Sequence, residues 1–353
     1  MKLTKVIAKA AAILLASFVA MGAGGAAAQT TQEFRVVGTW SGLSMFEKYE
    51  KPFWEKDLPG ATKGAIKGLI TPQTELGLKG FEIVRLIKAG VFDFGHGVTG
   101  YVAEDPVVEA VDLSGIAQDF DTARKIIAAY RSTLDATMEK RYGVKLLAVW
   151  PLTSQTFFCR DKITRIEDLK GKKIRVYSAS MADFVEGLGG TGVTVAFAET
   201  MPSIQKGVVD CGITGVMPAY DSKWWQVTGN LYALRVGWGV NFLAANPRTL
   251  AQMAPAQRDA LMTQVKAFET KMWDAMSRED AGAVACLTNT GRCDYGAPGT
   301  MTLVNPSPAD ITKRNAVLEN SVLKNWAKRC GAECVNTWNA RVGNIVGVKA
   351  PAP

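Results

Sequence analysis

Short apolar stretches alternate with segments of helical periodicity along most of the chain. The apolar stretches predict strands at residues 34–37, 64–70, 91–94, 145–150 and 173–176. Between them, apolar residues recur at helical spacing, as in residues 78–89 and 122–142. Strands that alternate with helices predict an α/β protein with layered sheets and mostly parallel strand pairing.

One pattern occurs twice. Residues 87–95 (IKAGVFDFG) and 204–212 (IQKGVVDCG) are identical at five of nine positions. In each copy a glycine can close a helix in the left-handed conformation, and a short apolar strand with an aspartate follows. We expect two lobes built on the same plan, with Asp93 and Asp210 in structural rather than catalytic roles. A common helix-to-strand turn is the simpler alternative.

Two long helices are predicted near the C-terminus, at residues 255–287 and 310–328. The first would be ~45 Å long at 1.5 Å per residue, which exceeds one small lobe, so we expect it to cross both. The predicted lobe I comprises residues 29–151 and about 238–280, and lobe II comprises residues 152–237 and about 281–346. Residues 347–353 are predicted to form a disordered tail.

The N-terminus has the pattern of an export signal. Lys2, Lys5 and Lys9 precede an apolar run at residues 10–21, and small residues lead to a cleavage site after Ala28. The run is shorter than the ~20 residues that a membrane span needs, although an N-terminal anchor is an alternative. We therefore expect a periplasmic protein.

Charge gives little support for a nucleic-acid partner. The whole chain has 41 Lys and Arg against 33 Asp and Glu, a formal charge of +8. Without residues 1–28 the balance is 38 against 33, or +5, which is ordinary for a soluble protein. We expect no nucleic-acid binding.

Six cysteines in an exported chain favour disulfides over a metal site. They are Cys159, Cys211, Cys286, Cys293, Cys330 and Cys334. Two local pairs, 286 with 293 and 330 with 334, would leave 159 to pair with 211, but the connectivity stays open. No histidine lies near them, so we expect no metal, and no cofactor is predicted.

Residues 95–100 (GHGVTG) fit the dinucleotide fingerprint G-x-G-x-x-G. We reject nucleotide binding because Pro106 leaves little room for the required helix, the strand does not open its lobe, and an exported protein lacks a ready nicotinamide pool. The glycines more simply allow a ligand or strand to approach closely. His96 is the only histidine, so an enzyme using a Ser-His or Cys-His mechanism would need it. A packed or pocket-lining role for His96 is the simpler interpretation.

Arg175 is the strongest candidate for ligand binding. It ends a predicted strand, and a helix is predicted to begin just after Ser178. Open α/β sheets bind ligands at the carboxyl ends of their strands, and a guanidinium fits a carboxylate bidentately. From spacing alone, an exposed strand arginine paired with an acidic residue is the favoured interpretation.

Residues 166–176 (IEDLKGKKIRV) resemble the core motif D-L-K-G-x-K-[IVL]-R-V of TRAP transporter solute-binding proteins of the DctP type. Residues 195–199 (VAFAE), 204–210 (IQKGVVD) and 86–93 (LIKAGVFD) resemble further segments of that family, in the same order. The resemblance covers most of the chain after residue 28. It implies a bilobal type II periplasmic-binding-protein-like fold, in which two α/β lobes hinge over a carboxylate and a long helix crosses both.

The resemblance also implies site residues. Arg175 becomes the carboxylate clamp, and Gln155 lies near the hinge, where some members carry a second arginine. The family segment G-x-E-x-P is replaced here by residues 211–215 (CGITG), so the contacts must differ. Thr214 and Gly215 are then candidates to line the cleft.

Aromatic residues complete the predicted site. Trp40, just after the first strand, and Trp238, beside Asn241, are candidate cleft residues, and core packing is the alternative for each tryptophan. His96 is included as a pocket-lining candidate.

The predicted function is capture of a small organic acid, a mono- or dicarboxylate and possibly aromatic, and its delivery to the membrane subunits of a TRAP permease. We therefore predict a binding protein, not an enzyme. The alternatives are an exported enzyme that uses His96 and the binding protein of an ABC importer.

Overall fold

The structure, a computed structural model, describes residues 31–102 and 105–353. The predicted signal peptide lies outside the described residues. No helix within these two ranges is both long and apolar enough to cross a membrane. The fold is mixed α/β and bilobal, with two separate β-sheets, as predicted.

In the part of the chain that the structure describes, eleven strands build the two sheets. They are β1 (Gln32–Gly38), β2 (Ile66–Pro72), β3 (Phe94–Val98), β4 (Lys145–Pro151), β5 (Gln155–Cys159), β6 (Lys173–Val176), β7 (Thr191–Thr194), β8 (Cys211–Gly215), β9 (Asn230–Gly237), β10 (Val240–Ala245) and β11 (Thr302–Val304).

The first sheet has the order β2-β1-β3-β10-β4, and the second has the order β11-β9-β5-β8-β6-β7. In the first sheet β10 is antiparallel to both of its neighbours, and in the second sheet β5 is. The remaining pairings are parallel. The antiparallel strands are the two that receive the chain directly from the other sheet, without a helical crossover to reverse its direction.

Helices cover the sheets. The α-helices are α1 (Leu58–Ala61), α2 (Ile83–Lys88), α3 (Pro106–Glu109), α4 (Phe120–Tyr142), α5 (Ala179–Gly187), α6 (Phe197–Gln205), α7 (Val216–Asp221), α8 (Pro247–Gln252), α9 (Pro255–Thr288), α10 (Pro308–Val317), α11 (Lys324–Cys330), α12 (Ala332–Trp338) and α13 (Asn344–Val346). Short 3-10 turns lie at Thr99–Tyr101, Ile166–Leu169 and Trp224–Gln226. Segments of π-helix lie at Met45–Glu50, Phe53–Asp57, Leu318–Leu323 and Asn339–Gly343.

The repeated pattern has the same structure in both sheets, although in each copy the strand begins after the aspartate and not before it. Gly90 and Gly207 have φ of 76° and 72° and end α2 and α6. Asp93 accepts a main-chain N–H of β1 at 2.8 Å, and Asp210 accepts one of β6 at 2.9 Å. Each aspartate therefore ties its strand to the neighbouring strand, which is a structural role.

The predicted strand at residues 91–94 is wrong in its position. Strand β3 begins only at Phe94, and Val91 lies in the turn, 45% exposed. The helix predicted from residue 78 begins at Ile83, because residues 73–82 form turns.

The chain crosses from the first sheet to the second between β4 and β5, and returns between β9 and β10. The crossings lie side by side, since Leu152 N–H donates to the Gly239 carbonyl at 2.6 Å. The Asp112 carboxylate accepts the N–H groups of Trp238 and Gly239, the latter at 2.7 Å. The boundaries and the extent of each lobe stay a prediction.

Helix α9 has 34 residues, about 51 Å at 1.5 Å per residue, and reaches both sheets as predicted. Glu269 accepts the N–H of Val149 in β4 at 2.7 Å. Eleven residues farther along, Asp280 accepts the N–H of Ser154 in the first crossing at 2.6 Å. The helix thus binds the main chain of the crossing directly.

All six cysteines form disulfides, in the pairs Cys159–Cys211, Cys286–Cys293 and Cys330–Cys334. The first pair joins β5 and β8, which are adjacent strands. The predicted disorder of residues 347–353 is contradicted at Ala350. This residue is 5% exposed, and its N–H and carbonyl both bond the Asn339 side chain.

Candidate functional site

A cavity of about 350 Å³, including its opening to solvent, lies where strand ends of the two sheets face each other. Strands β1, β3, β6 and β8 reach it with their carboxyl ends, as expected for open α/β sheets. Its lining residues are Trp40, Leu43, Met45, Val98, Tyr101, Leu152, Gln155, Arg175, Tyr177, Phe197, Thr214 and Pro218. Four of the predicted site residues are among them.

Arg175 lies in the wall of this cavity and is 1% exposed. Its Nε donates to the Val195 carbonyl at 2.8 Å, and its Nη1 donates to the Ile213 carbonyl at 2.7 Å. Its Nη2 donates to the Tyr101 hydroxyl at 2.9 Å. The guanidinium also lies 5.0 Å from the centre of the Tyr177 ring. The arginine is therefore held in one orientation by neutral groups.

The positive charge of Arg175 has no carboxylate partner among the described residues. No acidic side chain of that part of the chain lines the cavity. Of the five guanidinium N–H groups, three are used by the bonds above, so two have no protein partner there. A buried cation in this state is costly unless an anion joins it, so the geometry suits an anionic ligand.

Aromatic rings form much of the remaining wall. The Trp40 ring lies 5.9 Å from that of Tyr101 and 5.3 Å from that of Phe197, centre to centre. Tyr101 and Tyr177 meet edge to face at 5.2 Å. Burial raises the pKa of both tyrosines, and the Arg175 charge only partly opposes this. Both hydroxyls are therefore neutral at physiological pH.

Gln155 and Thr214 lie in the cavity wall, on the paired strands β5 and β8. The Gln155 amide nitrogen donates to the carbonyls of Thr153 and Trp238, and its oxygen accepts the Tyr177 hydroxyl at 3.2 Å. Gln155 therefore fixes Tyr177 to the crossing and keeps no spare N–H. Thr214 is 4% exposed and makes no side-chain hydrogen bond to the described residues.

His96 does not line the cavity, contrary to expectation. It is 1% exposed and lies on β3 among aromatic side chains, with its Nε2 accepting the Trp54 indole N–H at 2.9 Å. Because an indole N–H can only donate, Nε2 must be unprotonated. Burial lowers the pKa of His96 to about 3, so it is neutral. Its Nδ1 faces the Glu50 carboxylate at 3.7 Å.

Glu50 links His96 indirectly to the cavity. Its carboxylate accepts the N–H and the hydroxyl of Thr39 at 2.8 and 2.9 Å. Thr39 directly precedes Trp40, so this buried carboxylate holds the segment that places Trp40 in the wall. Burial raises the pKa of Glu50 to about 7, and the two Thr39 bonds oppose the rise.

Trp238, Asn241 and Gly215 also lie outside the cavity wall. Trp238 donates its indole N–H to the Ala117 carbonyl at 3.2 Å, behind the crossing. Asn241 is fully buried, and its amide lies 3.0 Å from the Met45 sulfur. Gly215 ends β8 beside Gln155, where a Cβ would lie 3.1 Å from the amide nitrogen. These residues support the wall rather than form it.

Several lining residues were not predicted from the sequence, above all Tyr101, Tyr177 and Phe197. A usable signal existed for two of them: Tyr177 follows Arg175 at the end of the same strand, and Tyr101 closely follows the end of β3, another strand that ends at the cavity. Phe197 opens α6.

No cluster of histidine, cysteine or acidic side chains suited to a metal ion occurs in residues 31–102 and 105–353. The carboxylates of buried Glu50 and half-buried Asp112 accept main-chain N–H groups instead.

Comparison with known proteins identifies relatives over most of the chain. The family model for bacterial extracellular solute-binding proteins, family 7 (DctP), matches residues 39–329. An uncharacterised protein of Haemophilus influenzae is 20% identical over 284 residues, which are 78% of this chain and 83% of that one.

Solved structures share the fold. DctP7, a Bordetella pertussis extracytoplasmic solute receptor binding pyroglutamic acid, superimposes with a TM-score of 0.79 at 21% identity, covering 88% of this chain and 99% of that chain. A TRAP periplasmic solute-binding protein from Desulfovibrio salexigens with bound orotic acid has a TM-score of 0.77 at 17% identity, covering 89% and 99%.

Proposed function

The chain belongs to family 7 of the bacterial extracellular solute-binding proteins, and from that premise we propose that it captures a small organic acid by its carboxylate. The acid would be enclosed between the two lobes and passed to the membrane subunits of a TRAP permease. The observation that carries this proposal is the buried guanidinium of Arg175. It lies in the cavity wall and has no acidic partner among the described residues.

The chemistry of the site supports a carboxylate. A guanidinium with two free N–H groups can bind two carboxylate oxygens, and charge-assisted hydrogen bonds of this kind are strong in a dry site. Tyr101 and Tyr177 keep the guanidinium in place, so little order has to be created on binding. The ligands named for the two structural neighbours, pyroglutamic acid and orotic acid, each carry a carboxylate.

Export and delivery are part of the same proposal. We propose that residues 1–28 are removed on export to the periplasm, where the mature protein meets its permease. An ABC importer is the alternative recipient. Adjacent genes for two membrane subunits without an ATPase would support the TRAP permease, and a neighbouring ATPase gene would support the ABC importer.

The enzymatic alternative requires His96 at the ligand. Its Nε2 accepts the Trp54 indole N–H, and the residue lies outside the cavity wall. The position of His96 therefore favours a supporting role over that of a catalytic base, and it gives the binding function the stronger case.

The test is the removal of Arg175. We expect Arg175→Ala to weaken carboxylate binding by at least about 30-fold, because truncating one partner of a buried charge pair typically costs about 2–5 kcal/mol. Arg175→Lys keeps the positive charge but loses the planar fork of N–H groups. Its carboxylate affinity should therefore lie between those of the wild type and Arg175→Ala. Isothermal titration and the ligand-induced rise in melting temperature measure the effect.

The matched control is Arg292→Ala, whose side chain is 88% exposed and far more accessible than that of Arg175. Circular dichroism of the unliganded variants shows whether they fold. Equal carboxylate affinity in folded Arg175→Ala and in the wild type would refute the proposed clamp.

A further inference from the structure

The cavity contains a single formal charge. Among the described residues that line it, Arg175 is the only one with an ionisable side chain that is charged at neutral pH, since the two tyrosines are neutral. One carboxylate therefore balances the site. A second carboxylate, or an ammonium group, would be enclosed without an opposite charge, which is strongly unfavourable.

Most neutral polar groups of the wall are already used. Both Gln155 amide hydrogens are donated to main-chain carbonyls, and the Gln155 oxygen accepts from Tyr177. The Tyr101 oxygen accepts from Arg175. This leaves few groups to satisfy hydroxyls on a ligand, and each unsatisfied buried hydroxyl reduces affinity.

Three polar groups remain available. The Tyr101 hydroxyl accepts from Arg175 but keeps its own hydrogen, which can be donated to the ligand carboxylate. The Thr214 hydroxyl and the Trp40 indole N–H make no hydrogen bond to the described residues, and both residues line the cavity. The indole N–H can only donate, whereas the Thr214 hydroxyl can donate or accept. The wall can thus serve one or two polar atoms besides the carboxylate.

The rest of the wall is apolar and shaped by flat rings. Trp40 and Phe197 present rings whose planes are inclined by 62°. The aliphatic part of the wall consists of Leu43, Met45, Val98, Leu152 and Pro218. Burial of a ligand's apolar groups against such surfaces is favourable, and flat or branched groups fill the space between rings best.

We propose that the ligand is a monocarboxylate with a flat or branched apolar body and at most one or two further polar groups. This inference rests on the proposed function and narrows it. It separates the preferred ligands from dicarboxylates, amino acids and polyhydroxylated acids, all of which also carry a carboxylate.

Two matched sets of compounds test the inference. Phenylacetate, phenylmalonate and phenylglycine share one body and differ by an added carboxylate or ammonium group. Isovalerate, isopropylmalonate and valine form the same series on a branched body, and gluconate represents polyhydroxylated acids. The full-length mature protein is first freed of bound ligand by unfolding in guanidinium with its disulfides intact and refolding. Each compound is then titrated calorimetrically into the wild type and into Arg175→Ala.

We expect phenylacetate or isovalerate to bind at least about 100-fold more tightly than its dicarboxylate and amino-acid counterparts, because the second charge would be buried without a partner. This binding should be lost in Arg175→Ala. Equal or tighter binding of a dicarboxylate, an amino acid or gluconate, still dependent on Arg175, would overturn the inference and leave the proposed function standing. If the wild-type protein bound none of these acids, the result would contradict both this inference and the proposed function.

Discussion

Gly100 leaves room for the proposed closure of the cleft because glycine has no side chain. This glycine lies in the turn after β3, and a Cβ there would lie 2.8 Å from Tyr177 Cε2 and 3.0 Å from Tyr177 Cδ2. Tyr177 belongs to the segment after β6, in the second sheet. We therefore expect Gly100→Ala to oppose the approach of the two lobes without disturbing either one.

The magnitude follows from the contact distance. Carbon atoms in good contact lie about 3.5–4.0 Å apart, so the added methyl is too close by at least about 0.7 Å. Tyr177 cannot easily move away, because its hydroxyl bonds Gln155 and its ring packs edge to face on Tyr101. Overpacking of this kind costs about 1–3 kcal/mol. If the cost falls on the closed state alone, the dissociation constant rises about 5- to 150-fold.

Isothermal titration with the tightest-binding acid measures the change, and small-angle scattering reports whether the liganded variant closes. The matched control is Gly60→Ala, since a Cβ at Gly60 meets no atom within 4 Å and its backbone is not in the left-handed region. The unliganded melting temperature of Gly100→Ala should not fall. Wild-type affinity together with a fully closed liganded form would refute the reasoning.

Substitutions at two further residues test supporting side chains. Burial raises the pKa of Glu50 to about 7 from 4.5, so the folded protein binds an extra proton between these pH values, and Glu50's contribution to stability is lost as pH rises through about 7. The stability of Glu50→Gln relative to the wild type should therefore increase from pH 5 to pH 8, by about 3 kcal/mol at most, and the melting temperatures of the two proteins measure this. A difference in melting temperature that stays constant with pH would contradict the raised pKa of Glu50. Asp280→Ala removes the acceptor of the buried Ser154 N–H and should lower the free energy of urea unfolding by about 1–3 kcal/mol, whereas Asp280→Asn keeps an oxygen and should cost less. Equal losses in both Asp280 variants would contradict this assignment.

Much of the fold could be predicted from local pattern. The twofold occurrence of a helix, a closing glycine, an aspartate and a short apolar strand predicts two similar sheets because each part has a local physical cause. The strand pairing was less predictable. Strands β5 and β10 run antiparallel to their neighbours because the chain enters them directly from the other sheet, and that long-range route leaves no mark in their composition.

The candidate site was predictable where a residue's position at a strand end is decisive. Arg175 and Thr214 lie near the ends of β6 and β8, and both line the cavity. His96 and Asn241 were predicted to line the cleft but lie outside the cavity wall. Side chains of a strand alternate between the two faces of the sheet, and the strand sequence does not show which face is turned toward the cleft. His96 points to the Glu50 and Trp54 side of its sheet, which the sequence gives no means to identify.

In the proposed function, ligand recognition and lobe closure use the same bonds. Arg175 belongs to the second sheet and Tyr101 to the segment after β3 in the first, so their 2.9 Å hydrogen bond exists only when the two sheets approach. A carboxylate bound to Arg175 removes the penalty of the buried cation in the closed form. In an open form, water would solvate that cation. A bound carboxylate therefore stabilises the closed form more than the open form, and so favours closure. Because apparent affinity scales with the closed fraction, any residue that shifts closure changes affinity without touching the ligand. In this proposal Gly100 and Gln155 act on affinity through that equilibrium, whereas the aromatic walls act on specificity through direct contact with the ligand.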